Sequence, residues 1–161
     1  MSFVLVEGVT DRIALQAVAR RLGLGLEGVE IVPIGGAQAI RRAATEHEGK
    51  RVVGLCDAGE QRYFRRVLGD ATYVCDRDLE DELIRALGAG RVQEVVAAQG
   101  ELETFRNFQN QVHWRGRPVE AQLRRWLQNG GRYLRYPPHL VEALEPHEIP
   151  PPLAGVLAAA A

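Results

Sequence analysis

A chain of 161 residues with 46% hydrophobic content can bury the core of one domain, and it is too short for several large domains. Its net charge of −1 excludes a strong overall field that would draw the protein to nucleic acid or to a membrane surface. No apolar run approaches the length of a membrane span, and Glu7 interrupts the first one, so we expect a cytoplasmic protein without a signal peptide.

Strands and helices are predicted to alternate along the first half of the chain. Four short apolar runs predict strands over residues 3–6, 29–34, 51–56 and 72–75. Between and after these strands, helices are predicted over residues 11–22, 37–47, 60–68 and 78–88. The alternation is typical of α/β proteins, and it predicts a mainly parallel four-stranded sheet with flanking helices.

The pattern becomes helical beyond the last predicted strand. Residues 91–128 are expected to form helices that are broken at Gly100 and around residues 115–118. We therefore predict two regions, an α/β domain over residues 1–88 and a helical extension over residues 89–161 that packs on it.

Prolines and a lack of periodicity mark the end of the sequence. Pro137 and Pro138 are expected to precede a short helix over residues 139–145, because proline disrupts the interior of a helix. Residues 150–161 show no clear periodicity, and we expect them to be partly frayed.

Carboxylates follow three of the four predicted strands. They are Glu7 after the first strand, Asp57 after the third, and Asp76, Asp78 and Glu80 after the fourth. Because the carboxyl ends of parallel strands lie on one edge of a sheet, these acids are expected to converge. Crowded carboxylates repel one another, and a bound cation is the usual reason that a protein tolerates them. Oxygen-only ligands favour hard metal ions, so the pattern predicts one or two Mg²⁺ or Mn²⁺ ions.

A purely structural explanation exists for the acids after the fourth strand. Negative charge at the start of a helix interacts favourably with the helix dipole, so these acids could serve only that purpose. Asp81 and Glu82 are expected on the solvated face of the same helix. The coincidence of acids at three strand ends nevertheless favours a metal site.

Taken in order, these motifs resemble the Toprim domain of the overcoming-lysogenisation-defect (OLD) family of nucleases, in a small stand-alone form found in actinobacteria. The stretches that carry the resemblance are VLVEGVTDRIAL, IVPIGG, LCDAGE and DLEDELI. No single stretch is specific, whereas the ordered set is fairly specific. The resemblance implies a Toprim-like, Rossmann-like fold and metal-dependent hydrolysis of DNA phosphodiesters.

The resemblance also implies roles for individual residues. Its metal ligands correspond here to Glu7, Asp11, Asp57, Asp78 and Glu80, of which Glu7 and Asp57 are also assigned to catalysis. The family's Asp-x-Asp motif lacks its second acid in this chain, because Gly59 stands there and Glu60 follows one place later. A downstream lysine that steadies the transition state in the family is also missing. Arg132 and Arg135 are the candidates for its catalytic role.

Residues 106–136 are basic and rich in aromatic side chains. They contain seven arginines and a single acid, Glu120. A nuclease with an acidic site needs a basic neighbour to hold the DNA backbone, and exposed aromatic rings could stack on unpaired bases. The candidates for nucleic-acid binding are Arg115, Arg117, Arg124 and Arg125. In the alternative interpretation, Trp126 belongs to the core and Arg124 and Arg125 form an ordinary solvated face.

Three functions remain open from the sequence. The first is a divalent-metal-dependent nuclease acting on DNA. The second is a catalytically silent Toprim module that binds nucleic acid or an ATPase partner. The third is another phosphoryl transferase or hydrolase on the same scaffold. The chain has no G-x-x-x-x-G-K-[ST] loop, so any ATPase partner would be encoded separately. A homodimer is an open alternative, and no membrane partner is expected.

Overall fold

The computed structural model describes residues 1–161 and contains one parallel sheet of four strands. The strands are β1 (Ser2–Val6), β2 (Val29–Pro33), β3 (Arg51–Asp57) and β4 (Thr72–Cys75). Their spatial order is β2-β1-β3-β4, and every neighbouring pair is parallel. All four carboxyl ends therefore lie on the same edge, as the sequence predicts, and the predicted α/β fold class is confirmed.

Helices cover both faces of the sheet. In the first half these are α1 (Val9–Arg21), α2 (Ile40–Glu46), α3 (Gln61–Leu68) and α4 (Leu79–Leu87). Side chains alternate along β1, so that Phe3 and Leu5 pack in a smaller cluster with α2 and α3, whereas Val4 and Val6 join a larger one. The two clusters hold the sheet in a helix–sheet–helix sandwich.

The second half of the chain is helical and completes the larger cluster. It contains α5 (Ala89–Ala98), α6 (Leu102–Gln109), α7 (Val119–Leu127), α8 (Arg132–Glu142) and α9 (Pro151–Ala160). Helix α8 packs along α1, and α9 lies across β1, β3 and β4. Side chains from both predicted regions share this cluster, and the division near residue 88 stays a prediction. None of the helices is both long enough and apolar enough to cross a membrane.

The predicted helix over residues 139–145 is wrong, because α8 begins earlier and contains both Pro137 and Pro138. Each proline lacks an N–H group and removes one hydrogen bond from the helix ladder. Tyr136 and Leu140, on either side of the prolines, are each only 1% exposed. Burial of these side chains against the core holds the helix together across the prolines.

The expectation of a frayed end is also wrong, because α9 is a regular helix. Pro151 stands at its start, where a missing N–H group costs nothing. Leu153, Val156 and Leu157 are buried beneath the sheet. The helix contains no polar residue, so its sequence has no polar face from which a helical period could be recognised.

Gly54 allows α3 to approach β3 closely. A Cβ atom at this position would lie 2.6 Å from Cδ1 of Leu68 and 2.8 Å from Cδ1 of Phe64, and Phe64 is completely buried. We therefore expect Gly54→Ala to lower the free energy of unfolding by about 1–3 kcal/mol, measured by urea denaturation.

Gly90→Ala is the control for this prediction. Gly90 lies in α5, and an added Cβ there meets no atom within 4 Å. The change should leave stability unchanged or raise it by up to about 1 kcal/mol, because alanine favours a helix. Equal stability of the two variants would contradict the close packing at Gly54.

Candidate functional site

Glu7 is fixed at the carboxyl edge of the sheet by hydrogen bonds from two other segments. Its Oε1 atom accepts a hydrogen bond of 2.8 Å from the backbone N–H of Asp57, at the end of β3. Its carbonyl oxygen accepts bonds of 3.1 Å from both Gly35 and Gly36, after β2. These glycines have φ values of 79° and 118°, which side chains other than glycine rarely allow. The turn therefore holds Glu7 in place, and its Oε2 atom makes no hydrogen bond.

Asp11 lies in the first turn of α1 and faces the same edge. Its Oδ2 atom accepts a hydrogen bond of 3.0 Å from the N–H of Gly8. Burial, together with repulsion from Glu7 and Glu80, raises the pKa of Asp11 to about 6. This hydrogen bond between Gly8 and Asp11 closes a turn, so that Glu7 and Asp11 both reach the edge of the sheet from one short segment.

Asp57 is repelled by the negative charges of the other four predicted metal ligands. Its pKa is raised to about 8, first by burial and then by repulsion. The repelling groups are Glu7, Asp11, Asp78 and Glu80. All five acids predicted as metal ligands thus lie at the same edge of the sheet, where the other four act on Asp57, and we call these five residues the acidic edge. Burial likewise raises the pKa values of Glu7 and Glu80.

Asp78 differs from the rest of the acidic edge, because both of its oxygens accept hydrogen bonds from other residues. Its Oδ1 atom caps α4 by accepting a hydrogen bond of 2.9 Å from the N–H of Asp81. Its Oδ2 atom accepts two bonds from Arg124, one of them 2.7 Å from Nε, and a longer one of 3.3 Å from Gln128. The predicted metal ligand is therefore also one half of an ion pair with the predicted DNA-binding Arg124.

Glu82 is not on a solvated face, so that expectation is wrong. Its exposure is only 7%, and its Oε1 atom accepts a hydrogen bond of 2.8 Å from the N–H of Asp76. Arg85 lies 3.2 Å from the same carboxylate. Glu82 ties α4 to the end of β4, a role that helical periodicity gave no reason to expect.

The two arginines predicted for catalysis lie together but face a different acid. Arg132 donates to the carbonyl of Trp126 at 2.7 Å, and its guanidinium lies 4.2 Å from the centre of that ring. Arg135 pairs with Glu101 at 3.1 Å. Glu101 is the only carboxylate that shifts the pKa of either arginine, so the structure does not bring them to the acidic edge.

The remaining predicted DNA-binding arginines lie on the surface of the second half. Arg115 donates to the carbonyl of Asn110 at 3.1 Å, and Arg117 donates to that of His113 at 2.7 Å. Arg125 is exposed on α7. Trp126 belongs to the core, as the alternative interpretation of this segment expected.

Two clefts open beside the end of β3, and sequence analysis assigned a role to neither. One, of about 460 Å³, is lined by Glu7, Glu60 and the turn over residues 35–39. The other, of about 370 Å³, is lined by residues 58, 59 and 61 and by Arg62 and Arg65. The positive charge of Arg65 also acts on Cys56, directly before Asp57. In the sequence, Arg62 and Arg65 follow Asp57 closely and are three positions apart, a spacing that places both on one face of a helix. This spacing is the sequence pattern from which a basic cleft beside Asp57 can be predicted.

The acidic edge fits a hard divalent cation in its chemistry. All of its donors are carboxylate oxygens, and positive charge would relieve the repulsion that adds to burial in raising the pKa values of Asp57 and Asp11. In the arrangement described, no group of three or more His, Cys, Asp or Glu residues is close enough to hold a metal ion. Binding of an ion at the acidic edge therefore requires these carboxylates to move closer together.

Comparisons with known proteins agree with this geometry. Residues 2–58 match the family model of the overcoming lysogenization defect protein-like TOPRIM domain, which confirms the resemblance predicted from the sequence over that segment. Toprim domains generally bind divalent metal ions, and the matched segment contains three acids of the edge, Glu7, Asp11 and Asp57. No curated protein sequence matches the chain.

Solved structures share the fold over nearly the whole chain. The C-terminal region of the Burkholderia pseudomallei OLD protein superposes with a TM-score of 0.73 at 16% identity, covering 98% of this chain and 95% of that one. The C-terminal region of the Xanthomonas campestris pv. campestris OLD protein gives 0.71 at 22% identity, with coverages of 99% and 91%. At these identities the similarity establishes the fold, including the arrangement of the helical second half.

We predict that Asp57→Asn stabilises the metal-free protein, and more at pH 8 than at pH 5. The pKa of Asp57 is raised from 3.8 to about 8 in the folded state, so folding favours the protonated acid. This contribution to stability is complete below pH 4 and is lost as the pH rises through 8, whereas asparagine stays neutral throughout. Thermal unfolding in the presence of a chelator measures the effect.

Asp70→Asn is the control, because Asp70 is exposed and precedes β4 at the opposite edge of the sheet. Its effect on the melting temperature should be the same at both pH values. A gain from Asp57→Asn that does not grow with pH would contradict the described crowding of the acids.

Proposed function

We propose that the protein is a divalent-metal-dependent nuclease that hydrolyses DNA phosphodiesters, with Mg²⁺ or Mn²⁺ bound at the acidic edge. The observation that carries the proposal is the position of Asp57 and four other acids at one edge of the parallel sheet; burial, and then repulsion from these acids, raises the pKa of Asp57 to about 8. The OLD-like TOPRIM match of residues 2–58 supports the same function. A cluster of this kind at the carboxyl edge of a parallel sheet is typical of a functional site.

Glu7, Asp57 and Glu80 are the residues that we propose to hold the ion. Glu7 keeps Oε2 available, because only its Oε1 atom is used by the backbone N–H of Asp57. The chemistry that a bound divalent ion supplies is polarisation of a phosphoryl oxygen and activation of water. Asp11 supports this arrangement by closing the turn at Gly8, which orients the start of α1 toward the site.

A substrate phosphate needs positive charge near these acids, since carboxylates alone repel it. We propose that Arg62 and Arg65 provide that charge from the cleft beside Asp57. Both side chains are exposed, and neither forms an ion pair with a carboxylate. DNA contacts by Arg115, Arg117 and Arg125, and a catalytic role for Arg132 or Arg135, stay predictions of the sequence.

A non-catalytic binding module is the second candidate function. It is favoured by Gly59, which stands where the resemblance implies an acid, and by the pairing of Asp78 with Arg124. Such a module would bind nucleic acid or a separately encoded ATPase without cutting DNA. The two candidates differ in whether divalent ions bind and whether phosphodiesters break.

We expect the purified protein to nick supercoiled plasmid DNA with Mg²⁺ or Mn²⁺ and to lose this activity with a chelator. The double variant Asp57→Asn, Glu80→Gln should lower the nicking rate by more than roughly a hundredfold, because removing ligands costs more than removing their hydrogen-bonding partners. Gel electrophoresis of the plasmid over time measures the rate.

Glu103→Gln, an exposed position on α6, is the matched control and should retain full activity. In parallel, Mg²⁺ should raise the melting temperature of the wild type but not of the double variant. DNA binding without nicking and without any shift with Mg²⁺ would reject the nuclease and favour the binding module.

We expect the double variant Arg62→Gln, Arg65→Gln to weaken DNA binding in a salt-dependent way. Each lost phosphate contact should reduce the slope of log Kd against log salt concentration by about 1, because fewer counterions are released. Fluorescence anisotropy with a labelled duplex, in a chelator to prevent cleavage, measures the slope.

The control replaces two arginines at the opposite edge of the sheet, Arg20→Gln and Arg51→Gln. Both are exposed, Arg20 at the end of α1 and Arg51 at the start of β3. The two double variants carry the same net charge. Equal loss of slope in both would show that the charge acts nonspecifically, and that no phosphate occupies the cleft beside Asp57.

A further inference from the structure

The segment between α6 and α7, residues 110–118, carries exposed side chains that are both apolar and basic, and we call it the α6–α7 loop. Val112 is 87% exposed, more than any other large hydrophobic side chain of the protein. His113, Arg115 and Arg117 are exposed beside it. One exposed apolar residue is ordinary on a protein surface, so the significance of this loop depends on what surrounds it.

Trp114 is the centre of a stack of flat side chains. Its ring lies 5.2 Å from the ring of Phe108, with an angle of 30° between the two planes. The guanidinium carbon of Arg117 lies 5.3 Å from the centre of the Trp114 ring. Phe108 packs against the larger core cluster, whereas Trp114 is not one of the side chains that do so. The stack therefore leads from the core to the exposed Arg117, and completing the core does not explain Trp114.

Hydrogen bonds hold this stack in place. Gln122 of α7 is only 4% exposed, and its Nε2 atom donates to the carbonyl of Trp114 at 2.8 Å. Its Oε1 atom accepts a bond of 2.9 Å from Gln109, at the end of α6. Nε of Arg117 donates to the carbonyl of His113 at 2.7 Å. A buried amide is costly unless its polar atoms are paired, so Gln122 ties the loop to both helices. Because the loop is already ordered, a ligand loses little affinity in ordering it.

No negative side chain interrupts the charge of this surface. Residues 104–119 contain no acid, and they include Arg106, Arg115 and Arg117. None of these three arginines forms an ion pair with a carboxylate. Unpaired guanidinium groups beside flat rings suit a single-stranded nucleic acid, because the charges attract phosphates and the flat groups stack on bases. In a duplex the faces of the bases are covered by their neighbours, so only an unpaired strand can use the stack.

The α6–α7 loop lies at the start of the helix that reaches the acidic edge. Helix α7 begins directly after Pro118, and Arg124 of the same helix pairs with Asp78. At 1.5 Å per residue, Pro118 and Arg124 are about 9 Å apart along the helix axis. A strand bound at the loop therefore lies close enough to extend to the acidic edge.

We propose that the α6–α7 loop binds single-stranded DNA, with bases stacking on Trp114 and Arg117 and a phosphate contacting Arg115. The substrate is then DNA with an unpaired segment, such as a strand end or an opened duplex. This identification of the strand as the substrate rests on the proposed function, whereas binding at the loop can be measured without cleavage. The loop positions DNA and takes no part in breaking the phosphodiester bond.

Titration with an oligonucleotide of thymidines, in a chelator to prevent cleavage, tests the proposal. The chain has two tryptophans, and Trp126 is only 1% exposed, so quenching of the tryptophan emission reports stacking at Trp114. The single strand should quench the emission of the wild type, and a blunt duplex of the same length should not. Folded Trp114→Ala should show no quenching, and fluorescence anisotropy should show roughly fivefold to a hundredfold weaker binding of the single strand.

Two further variants separate stacking from charge. Arg117→Lys keeps the positive charge but lacks the flat guanidinium, so it should weaken single-strand binding without changing its dependence on salt. Tyr133→Ala is the control, because it removes another aromatic side chain, 41% exposed on α8, and it should bind like the wild type.

Unchanged single-strand affinity in folded Trp114→Ala, or an equal loss for single strand and duplex, would overturn the proposal. Tighter binding of the ribose counterpart of the oligonucleotide would assign the loop to RNA and overturn it as well. If circular dichroism shows that Trp114→Ala is unfolded, Arg117→Lys decides, and unchanged affinity there is the contradicting result.

The proposal and the proposed function fail in different ways. Plasmid nicking by a wild type that does not bind the oligonucleotide would overturn the role of the loop and leave the nuclease standing. Quenching that depends on Trp114, in a protein that nicks no DNA with any divalent ion, would reject the nuclease. It would support the loop as a DNA-binding site of the non-catalytic module.

Discussion

Parallel pairing of the four strands is the constraint on which the rest of the molecule depends. Because β1, β3 and β4 run in the same direction side by side, the residues that follow them meet at one edge. Glu7, Asp57 and Glu80 are distant in sequence, and only this pairing brings them together. The hydrogen bond from the N–H of Asp57 to Glu7 joins two of the strand ends directly, so the geometry of the sheet becomes the geometry of the site.

The helical second half has two roles that are difficult to separate. Helix α9 covers β1, β3 and β4, and α8 packs on α1 within the same apolar cluster. Helix α7 reaches the acidic edge with Arg124 and Gln128 and stabilises charges that the first half alone would leave unpaired. Electrostatics at the edge and packing beneath the sheet are therefore provided by the same segment of chain.

The sequence predicted the sheet, the first four helices and the meeting of the acids, because each depends on a local pattern. Short apolar runs that end in a carboxylate can be recognised without knowing the rest of the fold. The two prolines predict a break before residue 139, because proline disrupts a helix locally, whereas burial of Tyr136 and Leu140 in α8 outweighs two missing hydrogen bonds. The pairing of Asp78 with Arg124 spans two distant segments, and no local pattern reports such a contact.

The position of α9 has a consequence for how the chain folds. This helix covers β1, β3 and β4, which a ribosome makes far earlier, so its contacts close very long loops. Until residues 151–160 have emerged, the part of the sheet that α9 covers remains open to chaperones or to aggregation. Formation of the sheet and completion of its core are thus separated in time during synthesis. The rate at which α9 docks depends on closing these long loops and not on how fast the helix itself forms.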